Sequence, residues 1–155
     1  MNRDPRRQGN LSDIRRKARE GLEAGDVFEV TRTFTPADVA AFEDLSRDYN
    51  PVHSSRAFAA AKGFNGTVCH GLLVASLLTE IGGQLGWLAA RMDLCFRRPV
   101  HPGDEITCRW EVTSLAPDLR AAAAVHIMNS NGDVVLEATI TGRVPGPGEL
   151  DLEGV

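Results

Sequence analysis

The chain has 155 residues, of which 43% are hydrophobic and 25% charged, and its formal net charge is −4. A chain of this length and composition predicts one globular domain that is large enough to bury its own core. The acidic balance argues against general nucleic-acid binding, because proteins of that class normally carry a surplus of basic residues.

Residues 1–24 are predicted to form a basic arm that contains one short helix. The polar start of this arm, residues 1–10, is expected to be disordered. Ser12 can cap a helix that ends near Gly25, because apolar side chains recur there at every fourth position. These apolar side chains are Ile14, Ala18 and Leu22.

The same arm does not have the pattern of a targeting sequence. Asp4, Asp13 and Glu20 interrupt its basic residues, whereas a transit peptide is poor in acidic residues and a secretory signal has an apolar core.

The cysteines of the chain are odd in number and widely spaced, which favours reduced thiols over a disulfide framework. They are Cys69, Cys95 and Cys108. We therefore expect a cytoplasmic protein.

A strand and a capped helix are predicted next. Residues 26–34 alternate between polar and apolar side chains and predict a first strand. Thr35 then serves as the N-cap of a helix, with Pro36 at its first position and Asp38 in place of the capping-box glutamate. This helix must end before the turn at Asp48.

The octet SRDYNPVH, residues 46–53, places a carboxylate and an imidazole close together, on Asp48 and His53. Pro51 disfavours helical geometry at Asn50, so a helix face cannot be what pairs the two side chains. A tight turn can fold both toward one water molecule, which is the minimum equipment for general acid–base chemistry. The same pattern is also an ordinary turn signal, so spacing alone leaves both interpretations open.

A long apolar stretch, residues 72–90, is nearly long enough to span a membrane. Against a span stand Glu80 and Gln84 near its middle. A helix that is wrapped by protein on all sides is expected to be equally apolar. We therefore predict a buried core helix that Gly71 opens and the Gly82-Gly83 pair closes.

Shorter elements complete the chain. A short helix that Ser54 or Ser55 caps is predicted to end near Gly63. Four strands follow the long helix, and an Asn131-Gly132 hairpin turn precedes the last of them. Their predicted ranges are 88–96, 105–114, 120–129 and 134–143. Helices in the first half and strands in the second predict an α+β fold, followed by a flexible acidic tail at 146–155.

Three motifs together resemble one enzyme family. DYNPVH (48–53), CHGLL (69–73) and FRRPVHPGDEIT (96–107) have about the order and spacing of the MaoC-like, (R)-specific enoyl-CoA hydratases of the hot-dog fold. The resemblance covers residues 26–143. It implies a hydratase domain at 25–145 in which an antiparallel sheet curls around a long central apolar helix. It also implies at least a homodimer, because hot-dog proteins usually pair their sheets across a two-fold axis.

The resemblance implies addition of water across a trans-2-enoyl thioester to give the (R)-3-hydroxyacyl thioester, or the reverse dehydration. Asp48 and His53 match the family's catalytic dyad, which holds the water, and Asn50 braces and orients the loop. The substrate is then a thioester of coenzyme A or of an acyl carrier protein. No cofactor beyond that substrate is expected.

Two further positions are candidates for stabilising the negative charge that develops on the thioester oxygen. Gly71 stands at the predicted start of the long helix, where backbone N–H groups are unpaired and the helix dipole favours an anion. Alternatively, Gly71 only permits a sharp entry into the helix. Thr79 falls near a position where family members often place a serine hydroxyl beside the thioester.

Arg47 stands where the family usually has glycine, and a positive φ there would strain an arginine.

Neither a metal site nor a cysteine nucleophile is predicted. His70, His101 and His126 have no partners at metal-ligand spacing, and the chain lacks a His-Glu-x-x-His or paired-cysteine motif. Cys69 is next to His70, but sequence neighbours rarely form a catalytic pair.

Two other functions compete with the hydratase. A hot-dog acyl-CoA thioesterase is less well supported, because thioesterases lack the DYNPVH arrangement. A non-catalytic acyl-thioester-binding or scaffold subunit is favoured by Arg47 in the loop and opposed by the presence of both dyad residues. Arg97 and Arg98 either meet the phosphates of coenzyme A or are solvated arginines at a strand edge.

Overall fold

The computed structural model describes residues 5–152, which form one sheet and four α-helices. The strands are β1 Val27–Thr33, β2 Leu88–Phe96, β3 Glu105–Leu115, β4 Arg120–Asn129 and β5 Val134–Arg143. The helices are α1 Pro5–Glu20, α2 Pro36–Ser46, α3 Arg56–Ala61 and α4 Gly71–Leu85, with short 3-10 helices at Pro51–His53 and Glu149–Leu152. The predicted strands are confirmed, although β1 is one residue shorter than predicted at each end and β3 extends one residue beyond its predicted end.

The five strands form an open antiparallel sheet in the order β1-β3-β4-β5-β2. On β3 and β4 every second side chain is buried, so one face of the sheet belongs to the core. The buried side chains of β3 are Ile106, Cys108, Trp110 and Val112. Within the described residues, β1 and β2 are the two edges of the sheet.

The helix α4 packs against this core, and the α+β arrangement predicted from the order of elements is confirmed. Its buried side chains are Leu73, Val74, Ala75, Leu77, Leu78, Ile81 and Leu85. Leu72, in contrast, is 63% exposed, so the helix is not wrapped by its own chain on every side. No helix within residues 5–152 has both the length and the hydropathy needed to cross a membrane.

The predicted end of α4 was wrong. The helix continues through Gly82 and Gly83 to Leu85 and ends at Gly86, whose φ of 65° is left-handed. A Cβ on Gly82 would lie 3.5 Å from the Trp110 ring, which is an ordinary van der Waals contact, and a Cβ on Gly83 would meet nothing within 4 Å. The helix ends only where the backbone turns to a positive φ.

The predicted bounds of α1 were also wrong. The helix begins at Pro5 rather than near Ser12. Residues 1–4 lie outside the described residues, and the expected disorder of residues 1–10 stays a prediction. Proline suits the first position of a helix because its φ is already near the helical value. The helix ends at Glu20, because Gly21 adopts a φ of 114°.

The helix α1 docks on the core of the domain. Ile14 is 3% exposed, and Arg15 Nη2 donates a hydrogen bond of 3.1 Å to the carbonyl of Gly83, near the end of α4. Arg19 Nε lies 3.6 Å from Asp151 Oδ1, which joins α1 to the C-terminal 3-10 helix. The division into arm, domain and flexible tail stays a prediction.

The caps of the two short helices before α4 agree with the sequence. Thr35 caps α2, and the reciprocal hydrogen bonds between Thr35 and Asp38 form the predicted capping box. Ser55, rather than Ser54, caps α3 through a bond from the Phe58 amide.

Candidate active site

The loop between α2 and α3 carries both residues of the predicted dyad. Arg47 ends α2 with φ 58° and ψ 25°, which is left-handed, so the chain turns sharply just before Asp48. The Asn50 amide donates to Asp48 Oδ1 at 3.2 Å, and the Val52 amide donates to Asn50 Oδ1 at 3.1 Å. These two side-chain turns tighten the loop. Asn50 therefore lies where its side chain can stabilise the loop between Asp48 and His53.

The two side chains of the dyad face one another. His53 Nε2 is 3.7 Å from Asp48 Oδ2, which is too long for a direct hydrogen bond. His53 Nδ1 is 2.7 Å from the carbonyl of Val68. A carbonyl only accepts hydrogen bonds, so Nδ1 carries the proton and Nε2 presents its lone pair toward Asp48. Two acceptors thus border one small space.

A third residue, His70, completes the cluster, although the sequence analysis had not placed it there. It is the N-cap residue of α4 and is 2% exposed. Its Nε2 donates to the backbone carbonyl of Asp48 at 3.1 Å. Its ring stacks on His53, with centroids 3.6 Å apart and an interplanar angle of 24°, and Phe42 lies 5.0 Å away on another side. The position of His70 inside CHGLL was the one available signal.

The stack limits the charge that the cluster can carry. Two imidazolium rings 3.6 Å apart in a partly buried site would repel strongly, because the effective dielectric constant is low there. The buried Nδ1 of His70 has no hydrogen-bond partner among residues 5–152, which also opposes a charge on that ring.

The cluster also offers three ligand atoms to a cation, since one atom each of Asp48, His53 and His70 lies within 4.8 Å of the others. A ring nitrogen binds a metal along its lone pair, in the plane of the ring. Because the His53 and His70 rings are stacked, their lone pairs point along nearly parallel planes that are 3.6 Å apart. One cation therefore cannot lie in the planes of both rings at bonding distance. The geometry suits a metal poorly, and a metal-free site stays our prediction.

A cavity of about 690 Å³ opens beside the dyad. Most of its lining is apolar, including Phe42, Phe64, Val68, Leu72, Val74 and Val100. The start of α4 forms part of the wall, and the Arg97–Arg98 pair forms part of the rim. The cavity can thus hold an apolar chain with its polar end at Asp48 and His53.

Gly71 opens α4, as predicted, and lines this cavity. His70 makes no side-chain hydrogen bond to the first turn, so the amides of that turn are not capped by it. A Cβ on Gly71 would lie 2.7 Å from Cε1 of Phe96. A side chain at position 71 would therefore make the Phe96 ring shift, and Phe96 is 52% exposed and can do so.

A family model described as "MaoC like domain" matches residues 21–130, which is most of the chain. The chain belongs to the MaoC-like family. The (R)-specific enoyl-CoA hydratase of Aeromonas caviae is 35% identical over 131 residues, which cover 81% of this chain and 98% of the relative. The 3-hydroxybutyryl-CoA dehydratase of Methylorubrum extorquens is 31% identical over 145 residues, which cover 91% and 92%.

Solved structures agree with this assignment. The (R)-hydratase from A. caviae involved in PHA biosynthesis superposes with a TM-score of 0.76 at 36% identity, covering 81% of this chain and 99% of that chain. An R-hydratase from Pseudomonas aeruginosa gives a TM-score of 0.75 at 29% identity, covering 82% and 84%. The predicted hot-dog fold is confirmed.

Thr79 is the predicted site residue of this MaoC-like domain that the structure leaves apart from the others. It is exposed on α4, and its hydroxyl donates to the carbonyl of Ser76 at 2.7 Å. It follows Gly71 by two turns, a rise of about 12 Å, and does not line the cavity. The hydroxyl of Ser76 in turn donates to Leu73, at 2.6 Å, as expected for a hydroxyl bonded back to its helix.

Cys69 lies in the cavity wall beside His70 but is a poor nucleophile. Burial is the main cause that raises the pKa of its thiol from 9.0 to about 12, and the charges of Asp104 and Asp38 add to the shift. The reactive form of a cysteine is the thiolate, which is scarce at neutral pH when the pKa is so high. This agrees with the expectation that Cys69 is not catalytic.

Proposed function

We propose that this MaoC-like domain hydrates trans-2-enoyl thioesters of coenzyme A to (R)-3-hydroxyacyl thioesters, and catalyses the reverse dehydration, with Asp48 and His53 as the dyad. The observation that carries the proposal is the separation of 3.7 Å between Asp48 Oδ2 and His53 Nε2 beside a largely apolar cavity. The names of the two curated relatives, an enoyl-CoA hydratase and a 3-hydroxybutyryl-CoA dehydratase, support the same reaction.

In this proposal one water molecule lies between the two acceptors and donates a hydrogen bond to each. The water oxygen attacks C3 of the enoyl group as one O–H bond breaks, and the dyad takes the proton. The electron pair of the double bond moves toward the thioester oxygen and gives an enolate. The enolate then takes the proton back at C2, so that the product gains one water in all.

The enolate oxygen needs hydrogen-bond donors, and the first turn of α4 can supply them. We assign this role to the Gly71 amide, because it borders the cavity and the N-terminal end of a helix favours negative charge. A pre-aimed donor of this kind lowers a barrier by about 3 kcal/mol. Thr79 has no role in this arrangement within one chain.

His70 acts through the dyad in this mechanism. Its hydrogen bond holds the backbone of Asp48, while its ring supports the face of His53. When His53 takes the proton, the neutral His70 ring lies against the new cation and stabilises it through a cation–π contact. The proton is therefore taken up on His53 and not on His70.

Hydration by this dyad needs no cofactor, and we propose none.

We further propose a homodimer, because the edge strand β2 presents exposed apolar side chains, Leu88, Met92 and Phe96, beside unpaired backbone groups. Sedimentation at micromolar concentration tests this, and a monomer would contradict it.

We also propose a cytoplasmic location, because all three cysteines are free thiols and disulfides are rare in the cytosol.

The test of the reaction uses crotonyl-coenzyme A and the full chain. We expect the ultraviolet absorbance of the conjugated thioester to fall without release of free thiol, and chiral chromatography to show the (R) product. Release of thiol would instead indicate a thioesterase, and binding without either change would indicate a non-catalytic subunit. Either of these two results would contradict the proposal.

A further inference from the structure

The rim of the cavity carries two adjacent arginines whose backbone is held in place. Arg97 and Arg98 directly follow β2, and both of their amides donate to the carbonyl of Val135, at 2.8 Å and 3.3 Å. Pro99 follows and restricts the backbone further. The backbone of both arginines is therefore held in place at the opening of the cavity to solvent.

Arg97 is oriented by an acidic neighbour but retains free donors. Its Nε donates to Glu137 Oε1 at 2.9 Å, and its Nη2 donates to the same oxygen. Both bonds end on one oxygen, and Nη1 makes no hydrogen bond among the described residues. The guanidinium is thus held in one orientation with part of its donor edge unused.

Arg98 is the more available cation. Its Nη2 lies 3.8 Å from Asp133 Oδ1, and the side chains are 59% and 46% exposed. This distance is too long for a hydrogen bond, and exposed ion pairs of this kind contribute little. A stronger anion can therefore replace Asp133 as the partner of Arg98.

We propose that Arg97 and Arg98 bind the phosphate of a phosphopantetheine thioester, the group that coenzyme A and acyl carrier proteins share. This inference rests on the proposed hydratase function, because it assumes that the thioester lies at the dyad. The pantetheine arm separates the thioester from the phosphate. A substrate of this class therefore needs its reactive centre inside a cavity and its phosphate site at the rim of the same cavity.

Charge and chemistry both favour a phosphate at this place. Among the described residues that line the cavity, Arg97 and Arg98 are the only arginines or lysines, in a chain of net charge −4. Guanidinium groups match phosphate oxygens with paired hydrogen bonds. A cationic rim on an acidic protein also raises the local concentration of an anionic substrate.

The test compares four crotonyl thioesters that differ only in the carrier: coenzyme A, 4′-phosphopantetheine, pantetheine and N-acetylcysteamine. The last two lack phosphate. We expect Arg98→Ala and Arg97→Ala each to lower kcat/KM for the phosphate-bearing thioesters by about tenfold, mainly through KM, and to leave the other two unchanged. Arg98→Lys should recover part of the loss because it restores a cation.

Arg120→Ala is the matched control, because Arg120 is an exposed arginine that is paired with an acidic neighbour, Asp118, and does not line the cavity. Equal losses on coenzyme A and phosphopantetheine support the shared phosphate, whereas a loss on coenzyme A alone would overturn it in favour of the additional phosphates of coenzyme A. No loss on either, or an equal loss on pantetheine, would overturn the inference.

If the wild-type chain hydrates none of the four thioesters, the proposed function fails. The phosphate site is then tested separately, by measuring the affinity of the chain for coenzyme A by calorimetry. Binding by the wild type that Arg98→Ala weakens about tenfold would support the phosphate site. Equal binding by both, or binding by neither, would overturn it.

Discussion

At the scale of single residues, the chemistry of the site depends on which nitrogen of each histidine carries the proton. The Val68 carbonyl holds the proton on Nδ1 of His53, and the Asp48 carbonyl holds the proton on Nε2 of His70. The lone pair of His53 is thereby directed toward the Asp48 carboxylate. In the proposed mechanism, these two backbone carbonyls prepare His53 to act as a base.

The first prediction concerns the dyad. Asp48→Asn and His53→Ala should each lower the rate of crotonyl-coenzyme A hydration at least about a hundredfold, the lower range for a positioned acid or base. The double variant should be little worse than the poorer single one, because both residues act on one water. Asp44→Asn, an exposed carboxylate on α2 that does not line the cavity, is the control. Near-full turnover in either single variant would exclude the dyad.

The second prediction separates the two contacts of His70. His70→Phe keeps a ring against His53 but loses the donor to Asp48, whereas His70→Asn supplies a donor without the ring. We expect both to lower kcat about tenfold with little change in KM, because substrate contacts are retained while the dyad is displaced. A rise in KM at constant kcat would indicate that His70 contacts the substrate directly.

At the scale of elements, the end of α2 stores strain next to the dyad. Arg47 has a φ of 58° and is exposed, and a left-handed conformation costs a residue with a Cβ about 1 kcal/mol or more. The capping box at the other end of α2 fixes where the helix begins. At the C-terminal end, the left-handed residue Arg47 is where the chain leaves the helix and turns toward Asp48.

Arg47→Gly is accordingly predicted to raise the free energy of unfolding by about 1 kcal/mol, measured by urea denaturation, with turnover unchanged. Arg47→Ala keeps the Cβ and is the matched control, so it should give no comparable gain. Equal stabilisation by alanine would show that the arginine side chain, and not the backbone strain, is the unfavourable feature.

The start of α4 gives a second prediction at this scale. Gly71→Ala should lower hydration about a hundredfold, as expected when one oxyanion donor becomes inaccessible. Because the new methyl would also meet the Phe96 ring, Phe96→Ala and the double variant are measured beside it. We expect the double variant to stay as inactive as Gly71→Ala. Recovery to the level of Phe96→Ala would mean that Gly71 serves only the packing of Phe96.

At the scale of the whole molecule, two buried thiols make stability depend on alkaline pH. Burial is the main cause that raises the pKa of Cys69 and of Cys108 from 9.0 to about 12. Below pH 9 both thiols are protonated in the folded and unfolded chain. Between pH 9 and pH 12 the unfolded chain releases these protons first, so the free energy of unfolding falls as the pH rises.

Urea denaturation across this pH range should therefore show a decline of up to about 1.4 kcal/mol per pH unit for each thiol. The variant Cys69→Ala/Cys108→Ala should have a shallower decline, whatever its stability at neutral pH. Cys95→Ala, at a partly exposed position, controls for substitution of a cysteine. An unchanged slope in the double variant would exclude the two thiols as the cause.

The sequence by itself determined those parts of the molecule that depend on near neighbours. Alternating side chains located the strands, and Thr35 with Asp38 located the start of α2. The turn between Asp48 and His53 followed from the short-range bonds of Asn50 and the restricted backbone at Pro51. Each of these features is decided within a few residues, so local pattern is sufficient to find it.

The tertiary structure decided what depends on residues far apart in the chain. Only the fold brings His70 against His53, places Phe96 over Gly71 and packs Trp110 beside Gly82, one of the two glycines that were expected to end α4. It also separates Thr79 from the cavity, although α4 carries both Thr79 and Gly71. Periodicity does not encode such contacts, because they arise when the buried face of the sheet and the helix share one core, and the space left between them determines which side chains meet.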